Sequence, residues 1–218
     1  MKERSKLRLK ISMSLDGFVA GPSQSVENPL GIGGMRLHDW AFALAMWRKE
    51  HGLEGGEVNE STVVVEEALA NIGATVMGRN MFGGHPGGWD SKNPWNGWWG
   101  DNPPYHHPVF VLTHHKREPL ELEGGTTFTF VTEGIEAALE QARRAAGGKD
   151  VSLAGGASAA RQYLKAGLVD EMEISVAPTL LGSGERLFDN LADAPQGYEI
   201  AEFVGTPAAL HVRFVRKH

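Results

Sequence analysis

The chain has 218 residues, of which 41% are hydrophobic, and this size suits a single domain over residues 1–218 with one core. Its formal net charge of −6 argues against a nucleic-acid-binding surface, and its lack of cysteine excludes disulfides and thiolate metal sites and fits a cytoplasmic protein. The chain contains no run of about 18 apolar residues, so no membrane-spanning helix is predicted. No apolar segment follows the N-terminal charges, so no signal peptide is predicted.

The first part of the chain alternates between strand and helix patterns. Apolar residues at every second position predict a strand over 7–13, which is followed by a glycine-containing turn and a loop over 22–36. Tryptophan and leucine at helical spacing predict a helix over 40–52, and a second helix is predicted over 65–73. The apolar residues 74–78 then predict a short strand.

Residues 83–107 are rich in glycine, proline and tryptophan, which excludes long regular structure. A loop of this size in a compact domain is commonly a functional lid. We therefore expect its aromatic residues Trp89, Trp98 and Trp99 to form one wall of a substrate site. The alternative is that this loop packs on the protein's own sheet or on a second copy of the chain.

The second half of the chain continues the alternation and ends in strands alone. Strands are predicted over 108–113, 127–131 and 151–154, and helices over 135–146 and 157–164. Three more strands follow without helices between them, at 171–178, 198–204 and 209–215. We therefore predict an α/β fold with a mostly parallel mixed central sheet, helices on both faces and an antiparallel C-terminal edge.

The segment LAGGASAARQYL joins a predicted strand to a predicted helix. Gly155 and Gly156 allow a ligand to come close to the backbone. The free amides at the start of the helix suit an anion such as a diphosphate, and they belong to Ala157, Ser158 and Ala159. The dinucleotide pattern G-x-G-x-x-G is missing, which excludes a site of the Rossmann type. Taken alone, the segment fits an ordinary strand-to-helix turn equally well.

Two other predicted strands end in residues that could bind a nucleotide. Gly78 ends one strand and Arg79 follows it, and a guanidinium is well shaped to hold a phosphate, although a surface salt bridge would also explain it. Thr113 and His114 follow the other strand and could line an adenosine pocket, since ligands of open α/β sheets bind beyond the carboxyl ends of strands. Neighbouring histidines on a strand point in opposite directions, so we predict no metal site here.

Two loops could close over a ligand. Asp16 lies in the turn SLDGFVAG, where it either caps the backbone or approaches the substrate. The segment APTLLGSGERLF contains Gly182 and Gly184, which make this loop flexible and close-fitting. We take Leu181 in the same loop as a candidate for substrate contact.

Read in order, four segments resemble the dihydrofolate reductase-like superfamily, and within it the reductase domain of riboflavin biosynthesis: KISMSLDGFVAG, ATVMGRNMF, VFVLTHH and VSLAGGASAARQYLKAGLVDEMEISVAPTLLGSGERLF. The resemblance implies a three-layer α/β/α fold and a homodimer. It also implies an NADPH-dependent reductase acting on a small heterocyclic or carbonyl substrate, similar to 5-amino-6-(5-phosphoribosylamino)uracil reductase.

The same resemblance implies which residues bind the cofactor. Arg79 is expected to favour NADPH, because NADH lacks the 2′-phosphate. The family tends to join its two glycines by a cis peptide, here between Gly155 and Gly156. The implied contacts are Gly78 and Arg79 with the adenosine phosphates, Thr113 and His114 with the adenine ribose, Gly155 to Ala159 with the diphosphate and nicotinamide ribose, and Ala20 with the nicotinamide.

Two acids are candidates for catalysis. Asp16 could bind or polarise the substrate. Asp39 lies near the position of the acid that dihydrofolate reductases carry on their first helix, but it could equally be a residue favoured there by the helix dipole. Hydride transfer needs little beyond placement, so a missing acid does not exclude an enzyme. The alternatives are a non-catalytic NADPH-binding redox sensor and a true dihydrofolate reductase.

Overall fold

A computed structural model describes residues 4–85, 87–92, 94–191 and 197–217. Its strands are β1 (Leu7–Ser14), β2 (Phe18–Ala20), β3 (Ile72–Gly78), β4 (Pro108–Leu112), β5 (Leu120–Glu121), β6 (Thr127–Val131), β7 (Asp150–Gly155), β8 (Glu171–Ala177), β9 (Glu185–Arg186), β10 (Tyr198–Gly205) and β11 (Leu210–Arg216). Its α-helices are α1 (Asp39–Phe42), α2 (Ala45–Glu50), α3 (Glu60–Leu69), α4 (Arg79–Phe82), α5 (Ile135–Ala145) and α6 (Ala157–Lys165). None of the helices in these residues is long and apolar enough to cross a membrane.

In this part of the chain, nine strands form one sheet in the order β10-β11-β8-β1-β7-β3-β4-β6-β5. Within this order, the six strands β8, β1, β7, β3, β4 and β6 run parallel to one another. β11 pairs antiparallel with β8, and β10 pairs antiparallel with β11. The predicted parallel sheet with an antiparallel C-terminal edge is confirmed. The sequence did not predict β5, which adds an antiparallel strand at the other edge. Nor did it predict β2 and β9, which pair in a small separate sheet.

One face of the sheet is covered by α5 and α6. Successive side chains of a strand point to opposite faces, so the alternating apolar residues of β1 and β3 all reach this side. The core on this face is fully buried at Leu7, Leu9, Val76, Val151, Leu153, Ala160 and Tyr163. Burying this row of side chains fixes the register of the central strands.

The opposite face is covered in two parts. Trp40 of α1 packs against Ala177 of β8 and donates its indole N–H to the Ser12 hydroxyl at 3.3 Å. Over β3, β4 and β6, the tryptophan-rich segment packs on a second buried cluster, formed by Met77, Phe82, Val109, Val111, Phe128 and Phe130. Helices therefore lie on both faces as predicted, and aromatic side chains of residues 83–107 complete one layer.

Two predicted helix boundaries are wrong. The helix expected over 40–52 is split into α1 and α2, because Leu44 is extended and forms a bridge with Glu57. The second helix ends at Leu69, and the following Ile72 and Gly73 belong to β3. Tertiary pairing outweighs helical spacing at both places.

A buried polar network joins the sheet to α3. His211 of β11 is 2% exposed, and its Nε2 and Nδ1 atoms lie 2.9 Å and 2.8 Å from the hydroxyl oxygens of Ser61 and Ser175. Trp40 packs edge-on against the imidazole with ring centroids 4.8 Å apart. Burial, together with the charge of Lys10, lowers the pKa of His211 to about 4.

This network predicts that the protein loses stability in mild acid. The unfolded histidine takes up a proton as pH falls through its ordinary pKa near 6.5, whereas the folded one stays neutral until about pH 4. The free energy of unfolding should therefore fall by up to about 3 kcal/mol across this window. Urea unfolding from pH 7.5 to 4 should show a flatter pH dependence for His211→Gln than for the native protein. His114→Gln, at an exposed histidine, is the control, and equal slopes for His211→Gln and the native protein would contradict the prediction.

Candidate functional site

The double glycine forms the turn between β7 and α6. Gly155 has a φ of 114°, in the region that favours glycine, and Gly156 caps the start of the helix. A Cβ atom on Gly156 would meet no atom closer than 4.0 Å, so a Cβ would fit beside this turn without a clash. The peptide between the two glycines is trans, because no described peptide bond is cis, and this corrects the expectation of a cis peptide.

The first turn of α6 presents backbone amides beside the Gly155–Gly156 turn. Ala157 and Ala159 are buried against the sheet, whereas Ser158 is exposed. The first amides of a helix have no partner within it and attract an anion. This arrangement fits the predicted diphosphate site.

The end of β3 lies directly against this turn. A Cβ atom on Gly78 would be 3.1 Å from the Cβ of Ala159 and 3.7 Å from the carbonyl oxygen of Gly155. That approach is tighter than ordinary van der Waals contact, which is why a residue without a side chain stands at position 78. The structure thus brings together two of the strand ends that the sequence singled out.

Arg79 is the first residue of α4 and carries an unpaired charge. Its guanidinium lies 4.0 Å from the centroid of the Trp89 indole, and its Nη2 donates to the carbonyl oxygen of His85 at 3.0 Å. Its Nε is buried without a hydrogen-bond partner. Burial and then the charge of Arg117 lower its pKa. No described carboxylate lies within ion-pair distance of Arg79, so the salt-bridge alternative is wrong for the described residues.

The end of β4 lies beside the end of β3 and is fastened to the tryptophan-rich segment. The hydroxyl oxygen of Thr113 accepts a hydrogen bond from the amide of His115 at 3.2 Å. The carbonyl oxygen of His115 accepts one from Trp89 Nε1 at 2.8 Å. The side chain of His114 is exposed. Trp89 therefore spans the two strand ends assigned to the adenosine part of the cofactor.

Asp16 joins the turn after β1 to the loop after β8. Its Oδ1 accepts hydrogen bonds from the Ser14 hydroxyl at 2.6 Å and the Leu181 amide at 3.1 Å, and its Oδ2 accepts one from the Gly182 amide at 2.7 Å. The bond from Ser14, followed by the two backbone bonds, lowers the pKa of Asp16 to about 2. An ionised carboxylate of this kind holds the two loops together and is not a proton donor at neutral pH.

Further contacts tie these loops to α6. Ala20 of β2 is buried and pairs with Glu185 of β9. A Cβ atom on Gly184 would lie 2.1 Å from the carbonyl oxygen of Ala20, so the two strands meet closely only because this residue is glycine. Arg161 of α6 donates to the carbonyl oxygen of Arg186 and lies 3.3 Å from the Glu185 carboxylate. The loop assigned to the nicotinamide is thereby fixed to the helix assigned to the diphosphate.

The remaining predicted residues are Asp39, Trp98 and Trp99. Asp39 is exposed at the first position of α1, as the helix-dipole alternative predicted. Trp98 Nε1 donates to the carbonyl oxygen of Met81 at 3.0 Å, and Trp99 packs on Phe128 with ring centroids 5.9 Å apart. These contacts are those of the packing alternative, and the described contacts of these tryptophans do not include Asp16 or Leu181.

Sequence reasoning missed Arg117. Its guanidinium lies 4.9 Å from the centroid of the Trp89 ring, the same ring that Arg79 contacts. The available signal was its place in VLTHHKR, four residues after the strand end at Thr113. Cations that closely follow a parallel strand gather at the same sheet edge as other strand ends.

Comparison with known proteins adds a family and a fold. Residues 5–199 match the RibD C-terminal domain family. The chain is similar to the uncharacterized protein YyaP of Bacillus subtilis (strain 168), with 24% identity over 192 residues, 86% of this chain and 82% of that protein. A putative riboflavin biosynthesis protein from Shewanella sp. PV-4 has a similar structure, with a TM-score of 0.61 and 21% identity over 98% of this chain and 99% of that chain.

A larger protein shares the fold over part of its length. It is a diaminohydroxyphosphoribosylaminopyrimidine deaminase/5-amino-6-(5-phosphoribosylamino)uracil reductase from Thermotoga maritima, with a TM-score of 0.56 and 14% identity. The likeness covers 98% of this chain and 57% of that one. A dihydrofolate reductase from Enterococcus faecalis also shares the fold, with a TM-score of 0.50 and 13% identity over 98% of this chain and 97% of that one. The predicted dihydrofolate reductase-like fold is therefore confirmed.

Proposed function

Because the chain belongs to the RibD C-terminal domain family, we propose that it is an NADPH-dependent reductase that transfers a hydride to a small heterocyclic or carbonyl substrate. The observation that carries this proposal is the contact between Gly78 and the first turn of α6, which gathers the candidate cofactor residues at one sheet edge. Fold alone does not define an activity, so the proposal depends on this edge.

The residues at this edge fit an extended dinucleotide that carries a diphosphate and a separate phosphate monoester. We propose that the amides of Ala157 to Ala159, at the first turn of α6, bind the diphosphate of this dinucleotide. The guanidinium of Arg79, which has no carboxylate partner among the described residues, would donate hydrogen bonds to the 2′-phosphate. Thr113 and His114 would contact the adenine ribose. NADPH would supply the hydride, and the protein would supply its placement.

The other end of the site would position the substrate and exclude water. Asp16, which follows β1, accepts hydrogen bonds from the amides of Leu181 and Gly182. Ala20 pairs with Glu185 and holds the end of the same loop. We propose that Leu181 contacts the substrate and that Asp16 positions this contact. With a pKa of about 2, Asp16 would not give the reaction a proton. A small flat substrate held next to the nicotinamide needs mainly alignment for hydride transfer.

The proposal also includes a homodimer. Ile200 and Phe203 of β10 are 60% and 73% exposed, and both lie on an edge strand with an unpaired side. Apolar residues in such a position support association with a second copy. The remaining partner in the proposal is the small-molecule substrate.

A substrate panel tests the reductase. We expect the purified protein to bind NADPH and to oxidise it with at least one of an aminopyrimidine precursor of riboflavin, FMN or dihydrofolate, followed by the loss of nicotinamide absorbance. Turnover with dihydrofolate alone would favour a true dihydrofolate reductase. Tight NADPH binding without turnover of any panel member would favour the redox sensor. A protein that does not bind NADPH would contradict both readings.

A further inference from the structure

We propose that Arg117 is a second phosphate-binding residue and that Arg79 and Arg117 together form a site for a phosphate monoester. This inference rests on the proposed function, in which the monoester is the 2′-phosphate of NADPH. It adds a residue that determines specificity for the phosphorylated cofactor, and it gives Trp89 a role in holding both cations in place.

The two guanidiniums share one aromatic ring. Their Cζ atoms lie 4.0 Å and 4.9 Å from the centroid of the Trp89 indole, both within the range of a cation–π contact. The indole itself is fixed, because its Nε1 donates to the carbonyl oxygen of His115 and its ring packs edge-on against Phe82 and Phe130. One rigid side chain therefore sets the positions of both positive charges.

Both arginines keep donors for a ligand. A guanidinium has five N–H groups. Arg117 uses two of its nitrogens to bond the carbonyl oxygen of Trp95 and the side-chain oxygen of Asn96, and Arg79 uses one for His85. A phosphate monoester offers three terminal oxygens, which is enough to satisfy donors from two guanidiniums at once.

The charges of Arg79 and Arg117 lack acidic partners among the residues that the structure describes. In the described parts of the chain, neither Arg79 nor Arg117 has a carboxylate within ion-pair distance. Other half-buried arginines do: Arg8 lies 3.5 Å from Glu171, and Arg143 lies 3.7 Å from Asp170. Two partly buried like charges are costly unless an anion joins them. A doubly charged phosphate monoester matches a pair of cations better than a carboxylate does.

The competing explanation is that Arg117 only fastens the tryptophan-rich segment. It makes the contacts of such a role, with Trp95 and Asn96 on that segment and with the Phe130 ring 4.9 Å away. The two roles differ in their consequence. Substitution of a residue that only holds the segment in place changes the affinity for every adenosine ligand equally. Substitution of a phosphate-binding residue changes the affinity only for ligands that carry the 2′-phosphate.

Calorimetric titration with 2′,5′-ADP and with ADP separates these roles. We expect Arg117→Ala to weaken 2′,5′-ADP binding about 10- to 100-fold and ADP binding by less than about 3-fold, as for loss of a charged hydrogen bond. Arg117→Lys should recover part of the loss, because it keeps the charge without the fork. Arg213→Ala is the matched control, since Arg213 lies on β11 and is paired with Glu202 at 2.9 Å.

Three results would overturn the inference. An equal loss of affinity for both ligands in Arg117→Ala would show that Arg117 only holds the tryptophan-rich segment in place. Unchanged affinity of this variant for 2′,5′-ADP would show that Arg117 does not contact the phosphate. If Arg117→Ala does not fold, Arg117→Gln answers the same question. The third result is a native protein that binds neither 2′,5′-ADP nor NADPH, which would overturn the proposed function as well. Loss of 2′,5′-ADP binding in Arg79→Ala but not in Arg117→Ala would contradict only this inference.

Discussion

The Gly156→Val variant is expected to fold normally and to lose NADPH affinity by about 100-fold or more, which is about 3 kcal/mol. A Cβ atom at this position would lie 4.0 Å from Asn80 Cβ and from the Met81 amide nitrogen, so the protein itself has room for it. The φ of −42° is negative, so this position does not use the left-handed region that favours glycine. The added side chain would instead occupy the position where the proposed diphosphate would approach the first turn of α6.

Titration calorimetry with NADPH, together with circular dichroism as a test of folding, would measure this loss. Gly205→Val is the matched control, because a Cβ atom there meets nothing within 4 Å and Gly205 lies at the far edge of the sheet, at the end of β10. Gly156→Ala should give a smaller loss. Unchanged NADPH affinity in a folded Gly156→Val protein would remove the double-glycine turn from the cofactor site.

The second large effect is expected from Arg79→Ala, which should weaken NADPH about 10- to 100-fold and NADH only slightly. Only NADPH carries the 2′-phosphate to which the Arg79 guanidinium would donate hydrogen bonds. The NADPH affinity of Arg79→Lys should lie between those of the native protein and Arg79→Ala, since an ammonium keeps the charge but cannot form two parallel hydrogen bonds with a phosphate. Dissociation constants for both cofactors, measured side by side, would check this. Equal losses for NADPH and NADH would rule out contact between Arg79 and the 2′-phosphate.

The sequence predicted those parts of the fold that depend on local pattern. The alternation in β1 and the glycines on either side of α6 are visible in the chain itself, because burial on one face imposes a period of two and turns select glycine. The strand ends at Gly78 and Gly155 were predicted to share one edge of the sheet, because parallel strands end there together. Their contact in the structure depends on the sheet order, in which β3 lies next to β7.

Other features depend on contacts between distant residues, and the sequence could not reveal them. Leu44 interrupts a helical pattern because it pairs with Glu57, which no helical period encodes. The carboxylate of Asp16 meets the Leu181 amide 165 residues away, so its role as a fastener between loops was hidden. The tryptophans of 83–107 could be recognised as unusual, but only the three-dimensional fold shows that they cover the sheet.

The half-buried pair Arg79 and Arg117 has a consequence for how ionic strength acts on the proposed complex. Over long distances, an anionic cofactor approaches a protein with a net charge of −6, and salt screens this repulsion because the Debye length is about 8 Å at physiological ionic strength. At contact, the attraction of two partly buried guanidiniums is screened much less. Moderate salt therefore assists the encounter while it preserves most of the bound-state attraction, the reverse of what an exposed basic patch would give.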